Sequence, residues 1–321
     1  MEIKKETLKI WYIFFYSILF TLIPWENIRS LPFTDRENYL DYVYYGINIL
    51  DYKDFNSIYS YIFNEWLWHY IIKGISQYIS YEYFFYLISF SLIFCMTYFL
   101  VKNISIYASF FLLNPLIVDL ALSQYRISLA IVFISLALFF YKNIFLRLLF
   151  FSIPIFIHTS ALIFIVIFIF INILNKIHWE KVNISYVLVL FGAFLSFLMS
   201  DYLNSILSFF GDRRDYSDIG RISSSFFYIS FWLIVLIFLI LNSNRYFNKL
   251  RWKNTLSQQY SLIILSMIAA NIIFGGYSTR FLAVSFPVII KSIYDINIKI
   301  RLIILFLYLI YLSIQWWFWM K

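Results

Sequence analysis

Apolar residues run along this chain in blocks of spanning length. The blocks lie near 8–25, 83–101, 104–122, 126–141, 144–157, 159–174, 183–200, 225–241, 258–274, 281–295 and 300–318. Each reads as a helix, because continuous apolar runs of this length match a lipid-crossing helix and not the short alternating strands of a membrane barrel. Two breaks in the pattern are long. The first, about 26–80, is rich in tyrosine and acids, and its end, 61–79, is apolar but carries Glu65, His69 and Lys73. That end is expected as one amphipathic helix lying at the membrane surface. The second, about 201–224, holds GDRRDYSDIGRISSS, the densest charge cluster in the chain. The pair at 144–174 is short for two crossings and also fits a shallow hairpin with Pro154 and His158 near its tip. The expectation is therefore an all-α, polytopic membrane protein of about 10–11 helices, a single transmembrane domain over 1–321.

Composition agrees with the pattern. Of 321 residues, 63% are hydrophobic and 13% charged, while Gly and Pro number 7 and 5. A lone cysteine, Cys95, excludes an intramolecular disulfide and a cysteine-cluster metal site. The net charge of +8 would suggest nucleic acid in a soluble protein, but here it reads as lysine and arginine in cytoplasmic loops, and no nucleic-acid partner is expected. The segment MEIKKETLK is basic, and no small-residue cleavage site follows it, so it reads as part of a retained first helix.

Sidedness follows from counting. With the N-terminus cytoplasmic, the inner segments hold 15 basic and 4 acidic residues, and the outer segments 10 basic and 13 acidic. Eleven of the inner basic residues are lysine, whereas seven of the outer ten are arginine: Arg29, Arg36, Arg126, Arg213, Arg214, Arg221 and Arg280. Lysine is enough for a topology signal. Arginine suits a bidentate grip on phosphate or carboxylate, so the outer face reads as anion-handling. Counting 61–79 as a crossing would invert everything downstream and place Lys142, Lys176 and the 245–253 cluster outside.

Candidate chemistry sits at the ends of apolar runs. Arg126 opens one run and Arg280 precedes another; each reads as a clamp on a lipid-linked phosphate, or as a snorkelling residue or an ion pair with a neighbour such as Asp119. His158, in IPIFIHTSALIF, is a candidate general base, a phosphate contact or a hydrogen-bonded structural residue, and Thr159 and Ser160 are candidate caps for the next helix. Asp35, Arg36 and Glu37 form a charge run in the first outer loop, which reads as a solvated surface, or as a carboxylate base for a sugar hydroxyl or a metal-ion contact. Glu65 stands among Trp66, Trp68 and Tyr70, aromatics that suit sugar rings and a membrane-interface belt alike. Arg213, Arg214 and Arg221 either hold an anion or pair with Asp212, Asp215 and Asp218. There is no phosphate loop, no HExxH and no GxSxG, and neither a metal nor a cofactor is expected.

Three stretches carry a resemblance: YRISLAIVFISLAL from Arg126, FFSIPIFIHTSALIFI around His158, and GGYSTRFLAVSFP around Arg280. With Asp35, Arg36, Tyr39, Tyr42 and Gly46 in the first loop and Glu65 after it, the layout resembles the EpsG-like, Wzy-type polysaccharide repeat-unit polymerases of bacterial inner membranes. The specific part is about 120–165, where Arg126 and Ala130 are followed by His158, Ser160 and Ala161. The family often has Arg-Gln where this chain has Arg126-Ile127, so a role for that Gln does not carry over. The resemblance implies a glycosyltransferase. It would join oligosaccharide units carried on undecaprenyl pyrophosphate at the outer side of the membrane, with a chain-length regulator as a candidate partner beside membrane lipids. It assigns His158, Asp35 and Glu65 to catalysis, and Arg126, Arg280, Arg213, Arg214 and Arg36 to the pyrophosphate. A glycosyltransferase using polyprenyl-phosphate sugars, an O-antigen ligase and a lipid-oligosaccharide flippase are the alternatives.

Overall fold

A computed structural model describes residues 2–44, 50, 55–75, 77–139, 142–176, 184–199, 226–246, 255–274 and 278–321. Every regular element among them is helical. The protein is an all-α polytopic membrane protein. Three helices, Tyr81–Asn103, Leu256–Phe274 and Ile298–Met320, are long and apolar enough to cross a bilayer, and the bent pair Pro115–Leu122 with Tyr125–Phe139 makes a fourth if it is one span. Four shorter apolar helices accompany them: Ile144–Ile157, Ala161–Lys176, Ile184–Leu198 and the stretch Ile229–Asn242.

The contacts group into two compact units. The first comprises the described residues of Met1–Ile165 with Trp319–Lys321. It begins with α1 (Glu2–Leu22), a short α2 (Trp25–Ile28) and α3 (Thr34–Tyr44). Next come α4 (Ile58–Phe63), α5 (Trp66–Ile75) and the long α6 (Tyr81–Asn103). Ser57 starts α4 with a reciprocal capping box to Ser60. The apolar end of the first loop is thus not one surface helix. It is two short helices broken at Asn64–Glu65, with Trp68 of α5 buried in the core. An apolar face that rests on protein, and not only on lipid, explains the difference: Leu67, Ile71 and Ile72 pack against Phe84, Phe85 and Ile157.

The run expected as one span at 104–122 is also divided. A 3-10 helix covers Ile106–Leu112, and α7 covers Pro115–Leu122. Proline cannot donate to a preceding turn and disfavours helical backbone in the residue before it, so the first piece ends before Pro115. The buried Asn114 then caps α7 by accepting from Leu116 N at 2.9 Å. Both pieces are tied to the N-terminal segment, in the same order along the chain. Tyr12 Oη meets Ser109 Oγ at 2.6 Å, Tyr16 Oη donates to Ser109 O at 2.8 Å, and Arg29 pairs with Asp119 at 2.7 Å. At Ser123–Gln124 the chain bends by 97° into α8 (Tyr125–Phe139). Asn143 caps α9 (Ile144–Ile157) through Phe145 N and Leu146 N. A turn over 158–160 leads to α10 (Ala161–Lys176).

The second unit comprises the described residues of Val166–Phe209 and Arg213–Phe318. Its helices are α11 (Ile184–Leu198), α12 (Phe226–Tyr246), α13 (Leu256–Phe274), α14 (Ser278–Tyr294) and α15 (Ile298–Met320). α11 lies close on α13, where Gly192 meets Ser266 and the Ile263 carbonyl. Several polar side chains in this apolar setting are paired: Asn175 and Gln259 exchange amide hydrogen bonds at 3.0 and 2.8 Å, and Ser196 bonds Asn271. On α15, Leu302, Phe306 and Leu309 are exposed while Ile304, Tyr308 and Tyr311 are buried, and only 17% of its most apolar stretch is covered by protein. Lipid is the environment in which such a stripe costs nothing.

Candidate functional site

The sequence offers Arg126, His158 and Glu65 as separate candidates. The structure brings them together in the first unit. Glu65 is 1% exposed and sits in the two-residue break between α4 and α5. Its φ is +52°, among the described residues the one positive value outside glycine. A side-chain-bearing residue in this left-handed region costs roughly 1–2 kcal/mol, so the break is held against its own preference. Glu65 O accepts from Trp68 N at 3.1 Å, which starts α5 directly after it. The kink turns the carboxylate inward.

Three groups take that carboxylate. Arg126 Nη1 pairs with Oε2, His158 Nδ1 lies 2.5 Å from Oε1, and Thr159 N donates to Oε1 at 3.4 Å. Arg126 is delivered by the first turn of α8. His158 is delivered by the end of α9, where its backbone leaves the helix extended while its N–H still bonds Pro154 O at 3.0 Å. A buried carboxylate is tolerated when it is paired and hydrogen-bonded, and here it is both. Arg126 Nε also donates to Tyr39 Oη at 2.6 Å, and its guanidinium lies 5.3 Å over the Tyr39 ring. Burial pushes the Tyr39 phenol above its ordinary pKa; Arg126 pulls it down and Glu65 pushes it up.

An aromatic floor fixes these groups. Phe85 and Tyr125 stack at 4.2 Å, and the Tyr39 ring meets Trp68 edge-on at 5.5 Å. Ala130, Ile157 and Ala161 close the same core cluster. The small Ala130 and Ala161 lie one turn beyond Arg126 and three residues beyond His158, so these two side chains sit beside close packing.

Other candidates stand elsewhere. Arg36 pairs with Glu26 and lies 6.0 Å over the Tyr86 ring. Asp35 is half-buried in the first turn of α3, one turn before Tyr39. Asp119, the neighbour expected for Arg126, is instead engaged by Arg29, and Gln124 donates to it at 3.2 Å. Thr159 does not cap α10: its hydroxyl reaches Ile62 O at 3.5 Å, and the buried Ser160 Oγ has no hydrogen-bond partner among the described residues. Arg280 is half-buried in the first turn of α14, in the second unit. Arg213 and Arg214, with Arg221 and the acids around them, lie outside the described residues. Among the described residues no group of three His, Cys, Asp or Glu side chains is arranged to hold a metal ion.

Two features escaped the sequence reading. Tyr39 had no assigned role, and the Thr159 backbone N–H was invisible in principle. The separation of 87 positions between Tyr39 and Arg126 leaves no local spacing that would have joined them. No family model, no curated protein and no solved structure matches this chain.

The cluster can do two things chemically. With Nδ1–H held by a carboxylate, the proton-accepting nitrogen of a neutral His158 is Nε2, as in other carboxylate-oriented histidines. Arg126⁺, Glu65⁻ and neutral His158 sum to zero. Once His158 takes a proton, the cluster gains one positive charge in a largely dry setting, where charge acts at close range.

Proposed function

We propose that this protein is a membrane glycosyltransferase that polymerises oligosaccharide repeat units carried on undecaprenyl pyrophosphate, at the outer side of a bacterial cytoplasmic membrane. The observation that supports this most is the strained, buried Glu65 joined to both Arg126 and His158. Arg126 and His158, two of the residues at the specific core of the resemblance to Wzy-type polymerases, are drawn together by this carboxylate.

In this reading a sugar hydroxyl of the acceptor unit attacks the anomeric carbon of the lipid-linked chain. The new carbon–oxygen bond forms as the bond from that carbon to the pyrophosphate oxygen breaks, and the electron pair leaves with the pyrophosphate. The hydroxyl proton passes to Nε2 of His158. Glu65 orients the imidazole and steadies the imidazolium, and Arg126 faces the charge growing on the leaving group. Glu65 is thus a positioning residue, and the base is His158.

The test is surface glycan from the native host, resolved by size on a gel. Deleting the gene should collapse the ladder to single repeat units that are still exported. Complementation with His158→Ala should leave it collapsed while the protein remains in the membrane. Loss of all glycan would instead indicate an earlier transferase or a flippase, and long chains with His158→Ala would remove the base assignment.

A further inference from the structure

The Tyr39 hydroxyl has one donor to spare. Arg126 Nε donates to its oxygen, so in this bond the phenol accepts, and its own O–H must be satisfied elsewhere. Among the described residues no acceptor takes that proton. Arg126 carries a matching surplus. Its Nε and Nη1 are committed to Tyr39 and Glu65, while Nη2 has no hydrogen-bond partner among the described residues. The two spare donors therefore belong to groups already bonded to each other.

Neither group is free to turn away. The Tyr39 ring is held between Trp68 at 5.5 Å, Phe85 at 6.1 Å and Tyr125 at 6.1 Å. Its raised pKa keeps the phenol protonated, and so a donor, at neutral pH. A neutral donor beside a cationic one, both fixed, is complementary to the oxygens of a phosphoryl group and mismatched to an amine or a metal ion.

We propose that Tyr39 binds substrate directly: its O–H and Nη2 of Arg126 form a two-pronged grip on the oxygens of the departing pyrophosphate. This rests on the glycosyl-transfer reading above, and it gives Tyr39, an uncharged residue of the first loop, a part in leaving-group stabilisation that charge patterning could not assign.

The experiment exploits the two opposite duties of one oxygen. Replacing Tyr39 with 3-fluorotyrosine strengthens the phenol as a donor and weakens it as an acceptor, with little change in size. The full chain, purified in lipid discs, is titrated with undecaprenyl pyrophosphate. The fluorinated protein should bind it a few-fold tighter than wild type. Tyr39→Phe should bind it about tenfold more weakly, the size of one hydrogen bond to a charged group. Weaker binding on fluorination would overturn the proposal, because it would mean that the phenol serves only as an acceptor holding Arg126. Unchanged binding in either variant would overturn it as well. Failure of wild type to bind the lipid pyrophosphate would instead sink the glycosyl-transfer reading, and this proposal with it.

Discussion

Glu65 concentrates three costs in one residue: a left-handed backbone, a buried charge and two ordered partners. Such a residue persists only where its surroundings overdetermine it. Arg126 and His158 do so from two different helices. Breaking a buried pair by removing one member leaves an uncompensated charge and costs about 3–5 kcal/mol. Glu65→Gln and Arg126→Gln should each lower the unfolding temperature of the detergent-solubilised protein. The double variant should lose clearly less than the two losses added together, because both remove the same bond. Additive losses would mean that the pair is not coupled. Arg126→Lys is the sharper case for function. Lysine keeps the charge but cannot serve Tyr39, Glu65 and a third partner from one planar fork, so the glycan ladder should stay at single units. At this scale the sequence singled these residues out and was uninformative about their pairing. Arg126 and His158 stood out because charged or titratable groups at the ends of apolar runs are expensive. Nothing in the chain said that Glu65, 61 residues away, would outcompete the much nearer Asp119 for Arg126.

Element by element, the apolar runs located the long apolar helices, but they missed the polar helix α3 (Thr34–Tyr44) and the interruptions within the runs. The run at 104–122 is predominantly apolar despite Asn114 and Asp119, so hydropathy could not see the 3-10 turn; Asn114-Pro115 was the available signal, read through its effect on the backbone. The run at 61–79 looked like a surface helix because its Trp68 face is apolar, and hydropathy does not distinguish a face turned to lipid from one turned to protein. Two glycines make the same point quantitatively. A Cβ on Gly192 would lie 2.0 Å from Ser266 Oγ and 2.3 Å from the Ile263 carbonyl, so α11 and α13 would have to part. Gly74 in α5 has nothing within 4 Å of that position. Gly192→Ala should therefore destabilise by about 1–3 kcal/mol through overpacking. Gly74→Ala should stabilise by roughly 0.5–1 kcal/mol, by removing a flexible residue from a helix. Thermal unfolding in one detergent should give shifts of opposite sign, and equal signs would contradict the close approach of α11 to α13.

For the whole molecule the decisive question is sidedness, and contacts between distant residues bear on it within each unit. Tyr39, Glu65, Arg126 and His158 meet in one place, and all four were expected outside. Ser30 N bonds Trp319 O at 3.2 Å, again joining two outer positions. In the second unit Asp295 accepts from Thr255 Oγ1 at 3.1 Å and from Ser257 Oγ at 2.8 Å, joining positions expected inside. Had 61–79 crossed the membrane, Arg126 and Tyr39 would fall on opposite faces, and a 2.6 Å bond between them could not form. The chain supplies its own means of testing this, because its single cysteine, Cys95, is 6% exposed in the core of α6 and should not react with a bulky probe. Cysteine can then be placed at one exposed position at a time. In intact cells a membrane-impermeant maleimide should label Glu37→Cys and spare Lys142→Cys, and permeabilisation should expose the second. The reverse pattern would put the site at the cytoplasmic face. It would end the reading of a polymerase acting at the outer side while leaving the cluster itself intact.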